Sequence, residues 1–138
     1  MRVFVAGATG VLGQRVVKLL REAHHDVVGL SRSQSNKEWL EVQGAEARAG
    51  DLFDTKRLIE ITSDCEAILH LATAIPKKSK SSLADWTLND RIRTEGTRCL
   101  LEAALHHKVK LYLQQSISFL YGDHQGEWVD DWKTRKVR

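Results

Sequence analysis

Residues 2–13 read Arg2-Val3-Phe4-Val5-Ala6-Gly7-Ala8-Thr9-Gly10-Val11-Leu12-Gly13. An apolar β-type run passes straight into glycines at 7, 10 and 13, the pattern of a strand that turns tightly into a helix. The first N–H groups of a helix have no intrahelical partner and carry the positive end of its dipole, so such a junction can hold a phosphate. Gly7 is expected to permit the sharp exit from the strand, Gly10 to let phosphate approach the backbone, and Gly13 to let the helix lie close to the sheet. The spacing is GxxGxxG, one residue wider at the front than GxGxxG. A glycine triplet also suits ordinary turn geometry. Its place after a β run and before a clear helix favours a dinucleotide pyrophosphate, with Gly7, Thr9, Gly10, Val11, Leu12 and Gly13 as the binding residues.

The helix that follows is legible from its period. Leu12, Val16, Leu19, Leu20 and Ala23 share one face and are expected to be buried, with Gln14, Arg15, Lys18 and Arg21 pointing away. His24 and His25 close it, and His106 and His107 close a later helix. Neither pair has a carboxylate or cysteine at ligand spacing, so both read as helix-end residues and no metal site is expected.

Strand and helix signals alternate along the whole chain. Strands read at 2–6, 26–30, 45–49, 66–71 and 109–115, and helices at 11–23, 36–43, 54–61 and 83–106. Repeated β–α units with short connections predict an α/β parallel sheet of about five strands with helices on both faces. In the last helix Leu88, Ile92, Cys99, Leu100, Ala103 and Ala104 form a stripe, and Gly96 within it is expected to permit close packing on a strand. The fifth strand would be an edge, yet Leu111, Tyr112 and Leu113 are not edge-like residues. The sheet is therefore expected to be incomplete on its C-terminal side. Residues 1–126 read as one domain, and residues 127–138 as a basic, disordered tail.

Composition sets further bounds. The chain has 138 residues, 42% hydrophobic and 28% charged, as an ordinary soluble globular domain does. A formal net charge of +3 is too small to argue for nucleic acid, and the basic runs at Lys77, Lys78 and Lys80 and near the C-terminus read as solvated surface. No secretory leader is seen at the N-terminus and no apolar run approaches the ~20 residues of a membrane span. The two cysteines, Cys65 and Cys99, read as free thiols, and a cytoplasmic location is expected.

Five segments together resemble the N-terminal half of a short-chain dehydrogenase/reductase of the extended or atypical type, the NAD(P)-dependent epimerase/dehydratase family. They are GATGVLG at 7–13, GLSRS at 29–33, GDL at 50–52, ILHLAT at 68–73, and EGTRCLLEAA at 95–104 with QSISFLYGD at 115–123. The resemblance implies a Rossmann-type, doubly wound domain with strand order 3-2-1-4-5 and a nicotinamide dinucleotide cofactor. In NAD-specific members an acid is expected at the end of the second strand, where it binds the ribose hydroxyls. Here Ser31 and Arg32 stand there; an arginine can pair with a 2′-phosphate that a carboxylate would repel, so NADP(H) is favoured over NAD. Arg15 could assist. The resemblance further implies that Asp51 accepts a hydrogen bond from the adenine amino group and that the Leu52 backbone touches the ring. Leu71, Ala72 and Thr73 would wrap backbone around the nicotinamide ribose. His70 reads as a packed strand residue, not a base, and Asp54 as the cap of the next helix.

The chemistry departs from the family pattern. The Ser or Thr expected four residues before the YG tyrosine, Tyr121, is Ile117, flanked by Ser116 and Ser118. The family's proton donor is a tyrosine with a lysine four residues on, whose charge lowers the phenol pKa from about 10. Tyr121 is followed at that spacing by Gln125 and Tyr112 by Ser116, so no YxxxK exists in these residues and no catalytic residue is assigned. Two functions follow as expectations. The first is the NADP-binding domain of an epimerase/dehydratase-type oxidoreductase, truncated before its Tyr/Lys pair and substrate region, its small-molecule substrate unspecified. The second is a non-catalytic NADP(H)-sensing regulator.

Overall fold

The computed structural model describes residues 1–78, 80–117 and 123–129. Tyr121, Ser118 and residues 130–138 of the expected tail lie outside the described residues. Five parallel strands form one sheet in the order β3-β2-β1-β4-β5. They are β1 (Arg2–Ala6), β2 (Asp26–Ser31), β3 (Glu46–Ala49), β4 (Ala67–His70) and β5 (Leu111–Gln114). β1 lies at the centre, with Val5 level with Gly29 on one side and Leu69 on the other. Its buried run Val3–Ala6 alternates between two cores. Val3 and Val5 meet Val17 and Leu40 on one face, while Phe4 and Ala6 meet Leu58, Ile92 and Leu100 on the other.

The first core is roofed by α1 (Val11–Glu22) and α2 (Gln34–Val42), the second by α3 (Thr55–Ile61) and by a long helical segment after β4. α1 is rotated from the expected face. Gly13 and Val17 are buried and Val16 and Leu20 pack partly, while Leu12 and Leu19 are 41% and 62% exposed and Ala23 also faces solvent. The physical reason is Gly13: a Cβ there would lie 2.0 Å from the Gly7 carbonyl oxygen, so this position must face the turn and sets the rotation of the whole helix.

The segment after β4 is α4 (Leu83–Arg91), a π-turn (Ile92–Gly96) and α5 (Thr97–His107), where sequence periodicity reads one uninterrupted helix. Leu88 is 49% exposed and Asn89 is buried in its place, because the Asn89 carboxamide meets backbone beyond the sheet end. Gly96 does not pack on a strand. A Cβ at Gly96 would stand 2.7 Å from the Leu52 side chain, so the π-turn closes over the exit of β3. β5 pairs with β4 alone among the described residues, and Leu111 and Leu113 are each 47% exposed.

At the amino ends of the strands, charges tie the sheet to the α3 side. Arg48 makes a fork to Asp64, 2.7 and 2.9 Å, and also donates to Glu46 and to the Ile61 carbonyl. Arg2 bonds to Glu46 and sets its guanidinium 3.0 Å from Asp64 as an ion pair. The Arg48 bond, chiefly, holds the Asp64 carboxyl far below its ordinary value, and it lowers Glu46 in the same direction. Asp64 is about half exposed, so solvent screens much of this gain.

A carboxylate with a depressed folded pKa stabilises the fold above its unfolded value of about 4 and loses that contribution as pH falls. Asp64→Asn should therefore lower the melting temperature at pH 7, and the gap to the wild type should narrow below about pH 4. Thermal melts of both chains at pH 7 and pH 3 check this; a gap of equal size at both would remove Asp64 from the acid response.

Candidate functional site

The carboxyl ends of β1, β2 and β3 frame a site that crosses from the glycine turn to the head of α2. Gly7 has φ +85°, in the left-handed region, and a Cβ there would lie 2.5 Å from the Ala72 nitrogen. Two constraints thus coincide at one residue: the turn needs the glycine, and so does the backbone leaving β4. Gly10 caps α1 with extended backbone, donates its N–H to the Gly7 carbonyl at 3.1 Å, and its own carbonyl takes the Gln14 N–H. The N–H groups of Val11, Leu12 and Gly13 have no acceptor among the described residues, and the first turn carries no acid. Gln14 bonds to the Thr9 carbonyl and braces the loop from the helix side.

Gly10 differs from its neighbours in kind. It is exposed, and a Cβ there would meet only the Gly7 oxygen, at 3.3 Å. Gly7 and Gly13 are glycines because the fold leaves no room. At Gly10 the open space lies outside the chain, where an anion would sit against free N–H groups. The exposed Val11 side chain, at 90%, stands at the rim of this cradle.

At the carboxyl ends of β2 and β3 lies an open groove of about 550 Å³, with Ser31, Arg32, Ser33, Lys37 and Asp51 in its wall. Ser31 is buried and donates to the Ser33 carbonyl, and the Ser33 hydroxyl caps α2 by accepting the Asn36 N–H. Arg32 is exposed with no ion pair or hydrogen bond among the described residues. Lys37, one turn into α2, reaches Glu41 only at 3.8 Å. Sequence reading missed Lys37; its place on the first turn after Arg32, rather than any motif, is the signal that could have found it.

Asp51 closes the groove. One of its oxygens accepts the Phe53 N–H at 2.8 Å, and Asp54, not Asp51, caps α3 through the Arg57 N–H. Leu52 is buried with its side chain close to Gly96 and is not in the groove wall. Beside it, the Arg91 guanidinium lies 3.8 Å above the Phe53 ring and forks to Glu95.

On the other side of β1, Leu71 is buried with its N–H on the Ala6 carbonyl, while Ala72 is half-buried and Thr73 exposed. His70 is buried, with Nε2 3.3 Å from the Ile92 carbonyl, and burial holds its pKa below the ordinary value. A neutral, enclosed imidazole bonded to backbone serves the packing of the π-turn. The Tyr112 hydroxyl donates to Gln114, which donates to Thr97, which donates to the Arg93 carbonyl. Burial pushes the Tyr112 phenol up to about 12, opposite to what a proton donor near neutral pH requires. Burial likewise drives the Cys65 thiol to about 12. Among the described residues no cluster of three or more His, Cys, Asp or Glu could hold a metal ion, and no helix is long and apolar enough to cross a membrane.

A parallel sheet in this order, with a glycine turn and free helix N–H groups where the strand order reverses, defines a Rossmann-type dinucleotide-binding domain. This chain belongs to the NAD-dependent epimerase/dehydratase family, which it matches over residues 3–136. It is 33% identical over 121 residues to the 3-diazoavenalumate denitrifying reductase of a Streptomyces species, covering 86% of this chain and 38% of that protein. Among solved structures it is similar to a short-chain dehydrogenase/reductase superfamily protein from Agrobacterium tumefaciens with bound NAD, at 28% identity and TM-score 0.70, covering 88% of this chain and 34% of that one. The UDP-glucose-4-epimerase from Stenotrophomonas maltophila, with bound NAD and formylated UDP-arabinopyranose, shares the fold at TM-score 0.77 and 21% identity, covering 98% of this chain and 42% of that one. The chain spans 24% to 38% of the length of the first curated relatives it matches.

The unequal glycines make a test. Gly10→Val should keep the melting temperature within about 5 °C of wild type, yet weaken dinucleotide binding at least about a hundredfold. Gly13→Ala, which puts a methyl into the Gly7 carbonyl, should lower the melting temperature by about 10 °C or more. Differential scanning fluorimetry with and without dinucleotide reads both. Equal affinity in Gly10→Val would remove the cradle from binding.

Proposed function

We propose that this chain is the NADP(H)-binding part of an epimerase/dehydratase-type oxidoreductase, with the Tyr/Lys proton donor and the substrate region carried by sequence beyond these 138 residues. The observation that supports NADP(H) is the charge of the groove. Arg32 and Lys37 stand at the head of α2 without a strong acidic partner, and Ser31 occupies the end of β2 where a ribose-binding acid would repel a 2′-phosphate. The pyrophosphate would take the N–H groups of Val11, Leu12 and Gly13, and Asp51 with the Leu52 backbone would meet the adenine. Leu71, Ala72 and Thr73 would line the nicotinamide side. Bound there, the dinucleotide supplies or accepts hydride at a carbinol or carbonyl carbon of a small molecule, a sugar nucleotide or simple carbonyl compound by kinship. The chain's own part is to bind and orient, since no YxxxK stands in its sequence.

A specific residue favours a second reading, an NADP(H) sensor without turnover. Ile117, exposed at 37%, stands where the family resemblance implies a Ser or Thr that holds the substrate oxygen. Dinucleotide binding without turnover in a longer chain that carries any downstream coding sequence would select it. A location in the cytoplasm is the expectation carried with both readings.

Titration by NADPH and NADH, followed by protein fluorescence quenching, tests the cofactor reading. Wild type should prefer NADPH by about tenfold or more, and Arg32→Asp should reverse the preference. Preference unchanged by Arg32→Asp would release Arg32 from the phosphate, and tighter binding of NADH by wild type would overturn NADP(H) altogether.

A further inference from the structure

The floor of the site on the β4 side is a short irregular backbone, Leu71–Ala74, whose position no strand ladder sets beyond Leu71. It nevertheless lies hard against the glycine turn, within 2.6 Å of where a Gly7 Cβ would be. Something must hold it there. Leu71 is tied to β1 through the Ala6 carbonyl at 2.8 Å, and the far end is tied from the opposite side by Asn89 of α4. Asn89 is one of few buried polar side chains, 4% exposed, and its Oδ1 accepts the Ala74 N–H at 3.1 Å. The helix is itself moored to β4 by the His70 contact with the Ile92 carbonyl, one turn further on.

We propose that Asn89 is a positioning residue for the dinucleotide: by holding Ala74 from α4, its carboxamide keeps the Leu71–Ala74 backbone at the height the nicotinamide half of the ligand needs. The inference rests on the cofactor reading above. The topology says which half is affected. β2 and β3, with the Arg32 and Lys37 groove, lie on one side of β1, and β4 lies on the other. A ligand whose phosphates sit at the β1 turn and whose adenosine lies in that groove has its remaining half over β4. Asn89 is not among the residues of the groove wall, so its loss should weaken the whole dinucleotide and spare the adenosine fragment. A buried carboxamide replaced by an apolar group also leaves the Ala74 N–H without its acceptor, which releases that end of the loop.

The test uses the 138-residue chain, NADPH and 2′,5′-ADP. In Asn89→Leu, of similar volume, the NADPH dissociation constant should rise about tenfold while that for 2′,5′-ADP stays within about twofold, and amide exchange at Ala74 should accelerate at least about tenfold by NMR. Equal losses for both ligands would show general destabilisation and overturn the proposal, as would unchanged NADPH affinity. If the variant does not fold, exchange in wild type decides. The Ala74 amide should be protected relative to Thr73 and Ile75 without ligand, and slowed further by NADPH but not by 2′,5′-ADP. An unprotected Ala74, or equal slowing by both ligands, overturns it. A wild-type chain that binds neither ligand overturns the cofactor reading instead, and Ala74 protection without ligand would still report the Asn89 bond.

Discussion

At one point in this molecule three backbones are pressed together: the turn at Gly7–Ala8, the first turn of α1 at Gly13, and the exit of β4 at Leu71–Ala72. A single methyl at residue 7 or 13 would enter main-chain atoms at 2.0 to 2.6 Å. Backbone cannot yield as a flexible side chain can, so these contacts set the rotation of α1, the spacing of β1 and β4, and the height of the loop after β4 together. The glycine cradle hangs from that junction. The free N–H groups of α1 point where they do because Gly13 faces inward, and the space in front of Gly10 is open because Gly7 has already turned the chain away.

The two ends of the sheet use charge in opposite ways. At the amino ends, Arg2, Glu46, Arg48 and Asp64 satisfy one another in a fork and its neighbours, an arrangement that serves stability and offers nothing to a ligand. At the carboxyl ends, Arg32 has no partner among the described residues and Lys37 has only a distant one. Exposed guanidinium and ammonium groups beside a helix N-terminus leave that end of the sheet positively charged. The groove they line and the cradle at Gly10 both stand at the carboxyl ends of the strands.

The chemistry is thinner than the binding. Tyr112, the described tyrosine, has its phenol raised by burial and committed to Gln114, so it braces β5 against α5 and the π-turn. His70 is likewise spent on the π-turn, through the Ile92 carbonyl. Leu111 and Leu113 on β5, which pairs with β4 alone among the described residues, are each 47% exposed. Membership in the epimerase/dehydratase family and the parallel Rossmann-type sheet therefore stand on the fold and the matched sequence, while Tyr112 and His70 are both committed to packing.

Local sequence alone determined the succession of strands and helices, the Asp54 cap and the glycine turn, because each is encoded by residues within one or two turns of one another, whereas the sheet order 3-2-1-4-5 came with the family resemblance. The family segments, read in order, placed the rest of the cradle and the groove residues Arg32 and Asp51. What only the tertiary structure decided were matters of contact between distant segments. Leu12 and Leu19 fit the helical period of α1, but Gly13 against the Gly7 carbonyl turned the helix past them. Gly96 was legible as a close approach, yet its partner proved to be Leu52 rather than a strand. The π-turn at Ile92–Gly96 left no mark in the period of 83–106, since it answers to His70 and Leu52, far away in sequence. Asn89 is an unremarked polar residue on paper; only the meeting of α4 with the backbone after β4 gives its carboxamide a task, because an isolated helix carries no information about which foreign N–H must be satisfied.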